Sequence, residues 1–358
     1  METPFKTRPF STRITELFGI THPIVCSGMS HVAVPELVAA VSGAGGLGIL
    51  ASAPLAPEQT RASIRRIREL TDRPFGINIT LRTPFAEGNI RVALEERVPV
   101  VNVSLGRSRE MFDAVHAYGG KVVNTVITEK HGRSGRDAGA DALIATGHEA
   151  AAHAGAIGSL ALIPWLRDTV GLPVIAAGGF ADGRGLVAAL ALGADAIAMG
   201  TRFATSAESP LHANIKASAV RNSAADTLYS VNFDGLPCRV MDGPAARRQM
   251  RRPLSFPAAC LRALKSARDM NVPLGKVLSM AISRPADLYQ QAQWGAFGVQ
   301  GRKAIYHGDL EHGISPIGQS QGLVHEVLPA AQIVANVLRQ AEAVRNGLCP
   351  VQVQAVAA

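Results

Sequence analysis

The sequence is poor in aromatic residues (5%), modest in charge (18%) and sparing with cysteine, which occurs four times in 358 positions, at Cys26, Cys238, Cys260 and Cys349. These cysteines are too scattered for the paired spacing of zinc sites or disulfide frameworks, so a reduced, cytoplasmic setting is expected and no metal centre. No run of 18 apolar residues occurs, which argues against a membrane-spanning helix. The opening stretch METPFKTRPFSTRITELF has no apolar core bounded by a small-residue cleavage site, so the chain is expected to be untargeted. The net charge of +8 is spread along the chain and peaks only at 246–252 (ARRQMRR), without interleaved aromatics. A nucleic-acid partner is therefore not expected, and the positive surface suits an anionic cofactor or substrate. Walker loops, Ser/His/Asp elbows and metal-ligand clusters are also missing, which leaves hydrolase and NTPase chemistry without support.

What is present is rhythm. From residue 22 to about 205, short β-branched runs alternate with Ala-rich amphipathic stretches, the pattern of parallel strands joined by crossover helices. Strands are predicted at Pro23–Cys26, Gly48–Leu50, Gly76–Ile79, Val100–Val103, Lys121–Val126, Ala142–Ala145, Val174–Ala177 and Ala196–Met199. Helices fall between them near 35–44, 58–71, 88–97, 108–118, 128–138, 159–170 and 183–192. Eight parallel strands at roughly 20 to 30 residue spacing favour a closed (β/α)8 TIM barrel, which leaves no exposed edge. A doubly wound sheet would need a Gly-rich dinucleotide turn after the first strand and an acidic residue ending the second. Cys26-Ser27-Gly28-Met29-Ser30 and Leu50-Ala51-Ser52 supply neither.

After Thr205 the rhythm stops. Residues 209–297 read as helices without further strand signals, broken at Asn232–Gly235 and Pro237, and are expected to form a helical cap inserted over the barrel mouth. Residues 1–208 and 298–358 are assigned to the barrel, with a last helix near Pro329–Asn346.

In such barrels chemistry gathers where strands end. Strand seven is followed by Gly178-Gly179 and strand eight by Gly200-Thr201, and paired Gly-rich turns there present backbone amides to a phosphorylated ligand. The loop after strand six holds three candidates for proton transfer, His148, Glu149 and His153, which spacing does not separate. Asn78 at strand three offers an amide to a heterocycle, and Met29 and Ser30 follow strand one, where a planar ring packs well.

These residues resemble the nitronate monooxygenases, a family whose barrel is shared with FMN-dependent enoyl-ACP reductases and some NADH:quinone reductases. The likeness rests on 23–30 (PIVCSGMS), 44–50 (AGGLGIL), 73–79 (RPFGINI), 147–155, 173–195 (PVIAAGGFADGRGLVAALALGAD), 199–203 (MGTRF) and 308–322. It implies FMN as cofactor, its phosphate held by Gly178, Gly179, Gly200 and Thr201. It further implies that Gly28, Met29, Ser30 and Asn78 lie on the isoalloxazine side, that Ala151 and Ala152 line the cofactor, and that His153 is the catalytic histidine. The implied reaction is oxidation of a nitronate or nitroalkane with O2 to a carbonyl compound and nitrite. The alternative is an NAD(P)H-dependent FMN reductase of a quinone or enoyl thioester, and a lesser one is a non-catalytic barrel that binds a phosphorylated ligand. A small-molecule substrate and a monomer or homodimer are expected.

The sequence departs from the family's pattern at two flavin-proximal positions, with Thr125 where relatives carry Lys and Thr146 where they carry Gln or Asp. The stretch Lys130–Gly135 places two glycines in one helix, and each costs about 1 kcal/mol against Ala. A weak, locally mobile helix over 128–138 is the expectation.

Overall fold

A computed structural model describes residues 10–348; the first nine residues and Cys349 lie outside that range. Eight parallel strands close into a barrel in the order β1-β2-β3-β4-β5-β6-β8-β9. They are β1 (Ile24–Cys26), β2 (Leu47–Ala51), β3 (Gly76–Thr80), β4 (Val100–Ser104), β5 (Lys121–Val126), β6 (Ala142–Thr146), β8 (Val174–Ala177) and β9 (Ala196–Met199). All eight fall where periodicity predicts them, within a residue at either end. Closure is made by Ile24, Val25 and Cys26 of β1, in parallel register with Ile197, Ala198 and Met199 of β9.

Alternation along each strand separates two environments. Val25, Ile49, Val100, Val123, Ile175 and Ala198 pack inside the barrel with Ile14 and Phe18 of the short helix Arg13–Phe18, which plugs the N-terminal end. That plug is fastened by Arg13, whose Nε and Nη2 reach the two carboxylate oxygens of Asp195 at 2.8 and 2.7 Å. Outward-facing Cys26, Leu143, Val174, Ile197 and Met199 meet the crossover helices. The last helix, Ala330–Leu348, packs on Gly183–Ala191 so closely that a Cβ at Gly183 would stand 2.2 Å from the Ala341 nitrogen.

Two features depart from the sequence reading. Residues 209–297 are not purely helical: β10 (Thr227–Ser230) and β11 (Cys238–Met241) form an antiparallel ladder. On its other edge β11 pairs with β7 (Ala152–His153), a two-residue strand in the loop after β6. Four-residue strands bounded by turns carry too little alternation to stand out from their surroundings. The long helix Leu288–His307 also runs unbroken across the expected boundary at 297/298. No helix among the described residues is long and apolar enough to cross a membrane.

Candidate active site

The C-terminal rim of the barrel is built from two glycine turns and a polar interior. Gly178 and Gly179 follow β8 with φ of +101° and +85°, conformations that L side chains rarely adopt. Space is also restricted at Gly178, where a Cβ would stand 2.9 Å from the Gly147 carbonyl and 3.2 Å from the Ala150 nitrogen. Gly200, after β9, has room in front of it, since a Cβ there would meet only the Met29 sulfur at 3.7 Å. The amides of Gly179 and Thr201 donate to no protein acceptor among the described residues. Buried Thr201 accepts the Gly318 amide at 2.9 Å, which leaves its hydroxyl proton free to point elsewhere. Donors without protein partners on adjacent strand ends are what a phosphoryl group needs, so these turns fit FMN.

Inside the barrel, Asn78 donates from Nδ2 to the Asn102 Oδ1 at 2.7 Å, and Asn102 donates in turn to the Thr125 Oγ1 at 2.9 Å. Thr80 donates to the Asn78 Oδ1 at 3.1 Å. This ladder crosses β3, β4 and β5. Gly28 lies against it, because a Cβ there would stand 2.5 Å from the Asn78 Cβ. Thr146 ends β6 as a buried residue, Met29 and Ala151 are half-buried, and Ser30 is exposed. A Cβ on Gly318 would press on the Ala151 nitrogen at 2.8 Å, which ties the 308–322 segment to this wall.

The three candidates for proton transfer occupy different environments. Both carboxylate oxygens of Glu149 accept the Ser159 amide, at 3.1 and 3.0 Å, where the helix Ser159–Val170 begins. His148 has its Nδ1 2.9 Å from the Gly155 carbonyl and its ring edge on Tyr229. His153 instead places Nε2 2.6 Å from Oδ2 of Asp234 and sets its ring 4.9 Å from that of Trp294, tilted by 37°. The Asp234 side chain is 3% exposed and that of His153 is 24% exposed. The Cys238 sulfur completes a group of donor atoms within 4.8 Å of one another, and burial pushes its thiol well above the ordinary cysteine range. The 2.6 Å contact is a hydrogen bond. Two ligands of one zinc ion, each about 2.0–2.2 Å from it, stand roughly 3 Å or more apart.

A sequence profile described as nitronate monooxygenase matches residues 11–87 and 83–340. The chain belongs to the nitronate monooxygenase family. Among its curated relatives is a (3aS,4S,5R,7aS)-5-hydroxy-7a-methyl-1-oxo-octahydro-1H-indene-4-carboxyl-CoA dehydrogenase of Rhodococcus jostii, 41% identical over 64% of this chain and 65% of that protein. The alignment thus spans just under two thirds of that relative's length. Another is the nitronate monooxygenase of Pseudomonas aeruginosa, 37% identical over 63% of this chain and 78% of the enzyme. Solved structures of similar shape include FabK from Thermotoga maritima (TM-score 0.79, 37% identity, 94% of this chain and 98% of that one). The nitroalkane oxidase of Streptomyces ansochromogenes is also similar (TM-score 0.78, 26% identity, 94% and 99% covered).

In this family member the glycine turns and the loop with His153 follow the strands that the sequence places before them. The contacts of Asp234 and Trp294 with His153, and of Asn102 with Asn78, carry no signal in the sequence. Asp234 lies 81 positions from His153. Its one local signal is the turn Asn232-Phe233-Asp234-Gly235, whose glycine has φ +86°.

Proposed function

We propose that this oxidoreductase uses FMN to oxidise nitronates or nitroalkanes with O2, giving a carbonyl compound and nitrite, with His153 as the group that takes the substrate proton. The observation that carries the reading is the imidazole of His153, partly open to solvent and held by a buried carboxylate on the barrel rim. Gly178, Gly179, Gly200 and Thr201 are the proposed phosphate cradle. Gly28, Met29, Ser30 and Asn78 would face the isoalloxazine, Ala151 and Ala152 would line it, and Thr125 and Thr146 would adjoin its polar edge. When bound, the flavin supplies the redox step, accepting electrons from the substrate and passing them to oxygen. The protein's share is orientation, a fixed polar wall at Asn78–Asn102–Thr125, and proton transfer at His153. Residues 209–297 are proposed as the cap, a soluble cytoplasmic enzyme as the setting, and a monomer or homodimer as the assembly.

A second reading is an NAD(P)H-dependent flavin reductase acting on a quinone or an enoyl thioester, and the 41% and 39% identity to the two CoA dehydrogenases favours the thioester. The two readings need opposite proton transfers: nitroalkane oxidation takes a proton from carbon, whereas reduction of an enoyl thioester delivers one to carbon after hydride transfer. Anaerobic titration of the flavin spectrum separates them. Bleaching by a nitronate and not by NADH or NADPH supports the first, and the reverse result moves the assignment to the second. A colourless protein that takes up no added FMN sinks both and leaves a barrel that binds some other phosphorylated ligand.

A further inference from the structure

We infer that Asp234 is the positioning residue for His153, and that Nδ1 is the ring nitrogen that meets the substrate proton. The inference rests on the proposed role of His153 as base and deepens it by assigning its tautomer.

The carboxylate is held from several sides. Its Oδ1 accepts the Leu236 amide at 3.1 Å, which leaves Oδ2 aimed at the imidazole Nε2 at 2.6 Å. The turn that carries it is clamped. Phe233 is fully buried, and the Gln249 side chain donates to the carbonyls of Asn232 and Phe233 at 3.0 and 2.8 Å. Gln290 donates to the Gly235 carbonyl at 3.0 Å, and a Cβ at Gly235 would stand 2.7 Å from the Gln290 Cγ. The same segment fixes the histidine's backbone, because Cys238 of β11 is the ladder partner of His153 in β7. Trp294 lies against the ring itself. A side chain so constrained at Nε2 and on one face has its remaining freedom at Nδ1, which has no protein hydrogen-bond partner among the described residues.

The proton accounting follows. A carboxylate accepts only, so the hydrogen bond to Asp234 keeps the neutral imidazole protonated at Nε2 and leaves the Nδ1 lone pair as the base. The substrate C–H bond breaks, an N–H bond forms at Nδ1, and the electron pair stays on the substrate, spread over the oxygens of its nitro group. The charge that appears on the ring is then opposite the Asp234 carboxylate and beside the Trp294 indole. No other oxidant or acid is required for this step.

The test compares a neutral nitroalkane, which must lose a proton, with its preformed nitronate, which need not. Asp234→Asn should lower kcat on the neutral nitroalkane by roughly 10² or more while leaving turnover of the nitronate and FMN content close to wild type. Asp234→Glu should recover part of the loss. A merely structural Asp234 would depress both substrates together, and that result overturns the inference. His153→Ala separates the two layers of argument: if it retains neutral-nitroalkane turnover, the base assignment fails; if it loses turnover while Asp234→Asn does not, only the positioning role fails. Nitrogen-15 spectra of the wild-type imidazole, assigned by the signal lost in His153→Ala, test the tautomer without turnover or any Asp234 variant. Protonated Nε2 and bare Nδ1 are expected, and a ring protonated at Nδ1 alone overturns the inference.

Discussion

Single residues set the terms of this site through what their atoms can and cannot do. Of the three loop candidates, His153 is the one hydrogen-bonded to a carboxylate, and its substitution is the most direct check on the proposed chemistry. His153→Ala should keep the protein yellow and slow flavin reduction by a neutral nitroalkane by roughly 10² or more, read by stopped-flow absorbance under argon. Gly178 carries a different kind of constraint. Its φ of +101° and the 2.9 Å approach to the Gly147 carbonyl make Gly178→Ala strained at the backbone and crowded at the side chain. A loss of about 1–3 kcal/mol is expected, visible as a lowered melting temperature together with weakened FMN retention. The glycine pair after an apolar strand is a local pattern, whereas spacing alone left His148, Glu149 and His153 as equal candidates and only the family resemblance singled out His153. Neither singled out Asp234, since a carboxylate beside a glycine is far more often only a turn.

At the level of elements, packing overrides propensity. The helix Glu129–Asp137 contains Gly132 and Gly135, which the sequence marks as weak points, yet both are buried contact positions. A Cβ at Gly132 would stand 2.9 Å from the Val170 Cγ2, and one at Gly135 would stand 2.6 Å from the Asn124 Oδ1. The glycines let this helix lie directly on its neighbours. Gly135→Ala therefore tests a contest: about 1 kcal/mol of helix propensity gained against overpacking that typically costs about 1–3 kcal/mol. Asn124 is already committed to the carbonyls of Val103 and Gly106, so the overpacking term should win. A lowered thermal midpoint is the expected result.

Electrostatics link other elements. Burial pushes the Glu96 carboxyl up, but hydrogen bonds from Arg61, Arg65 and Arg68 and the charge of Arg65 outweigh it and hold the group below the usual carboxylate range. A carboxyl depressed in the folded state stabilises it fully above the unfolded group's range, and that stabilisation is lost as pH falls through the folded value. Glu96→Gln should consequently be less stable than wild type near neutrality and converge with it in acid, as thermal melts across pH would record.

The whole molecule combines a closed barrel with a segment after β9 that carries Asp234 and Trp294 to His153. The strands and the N-terminal plug make one continuous core, whereas the helix Leu274–Ser283 has no buried residue at all. Hydrogen exchange should find that helix opening far more readily than β3 through β6, because little apolar burial holds it. The ladder β7–β11–β10 should resist exchange more than that helix, since it joins the segment after β9 to the loop bearing His153. Equal exchange throughout 209–297 would contradict this contrast.

Eight strands, their order around the barrel, the two glycine turns and the histidine loop were all written in the sequence. Each depends on a period of two, a period of about 3.6 or the chemistry of a single turn, which act over a few residues. The pairing of His153 with Asp234, the indole beside it, the Asn78–Asn102–Thr125 ladder and the third strand beside β10 and β11 were decided only when the chain closed. Those contacts join residues tens of positions apart, and no local rule specifies which carboxylate or ring a distant turn will deliver to a given imidazole.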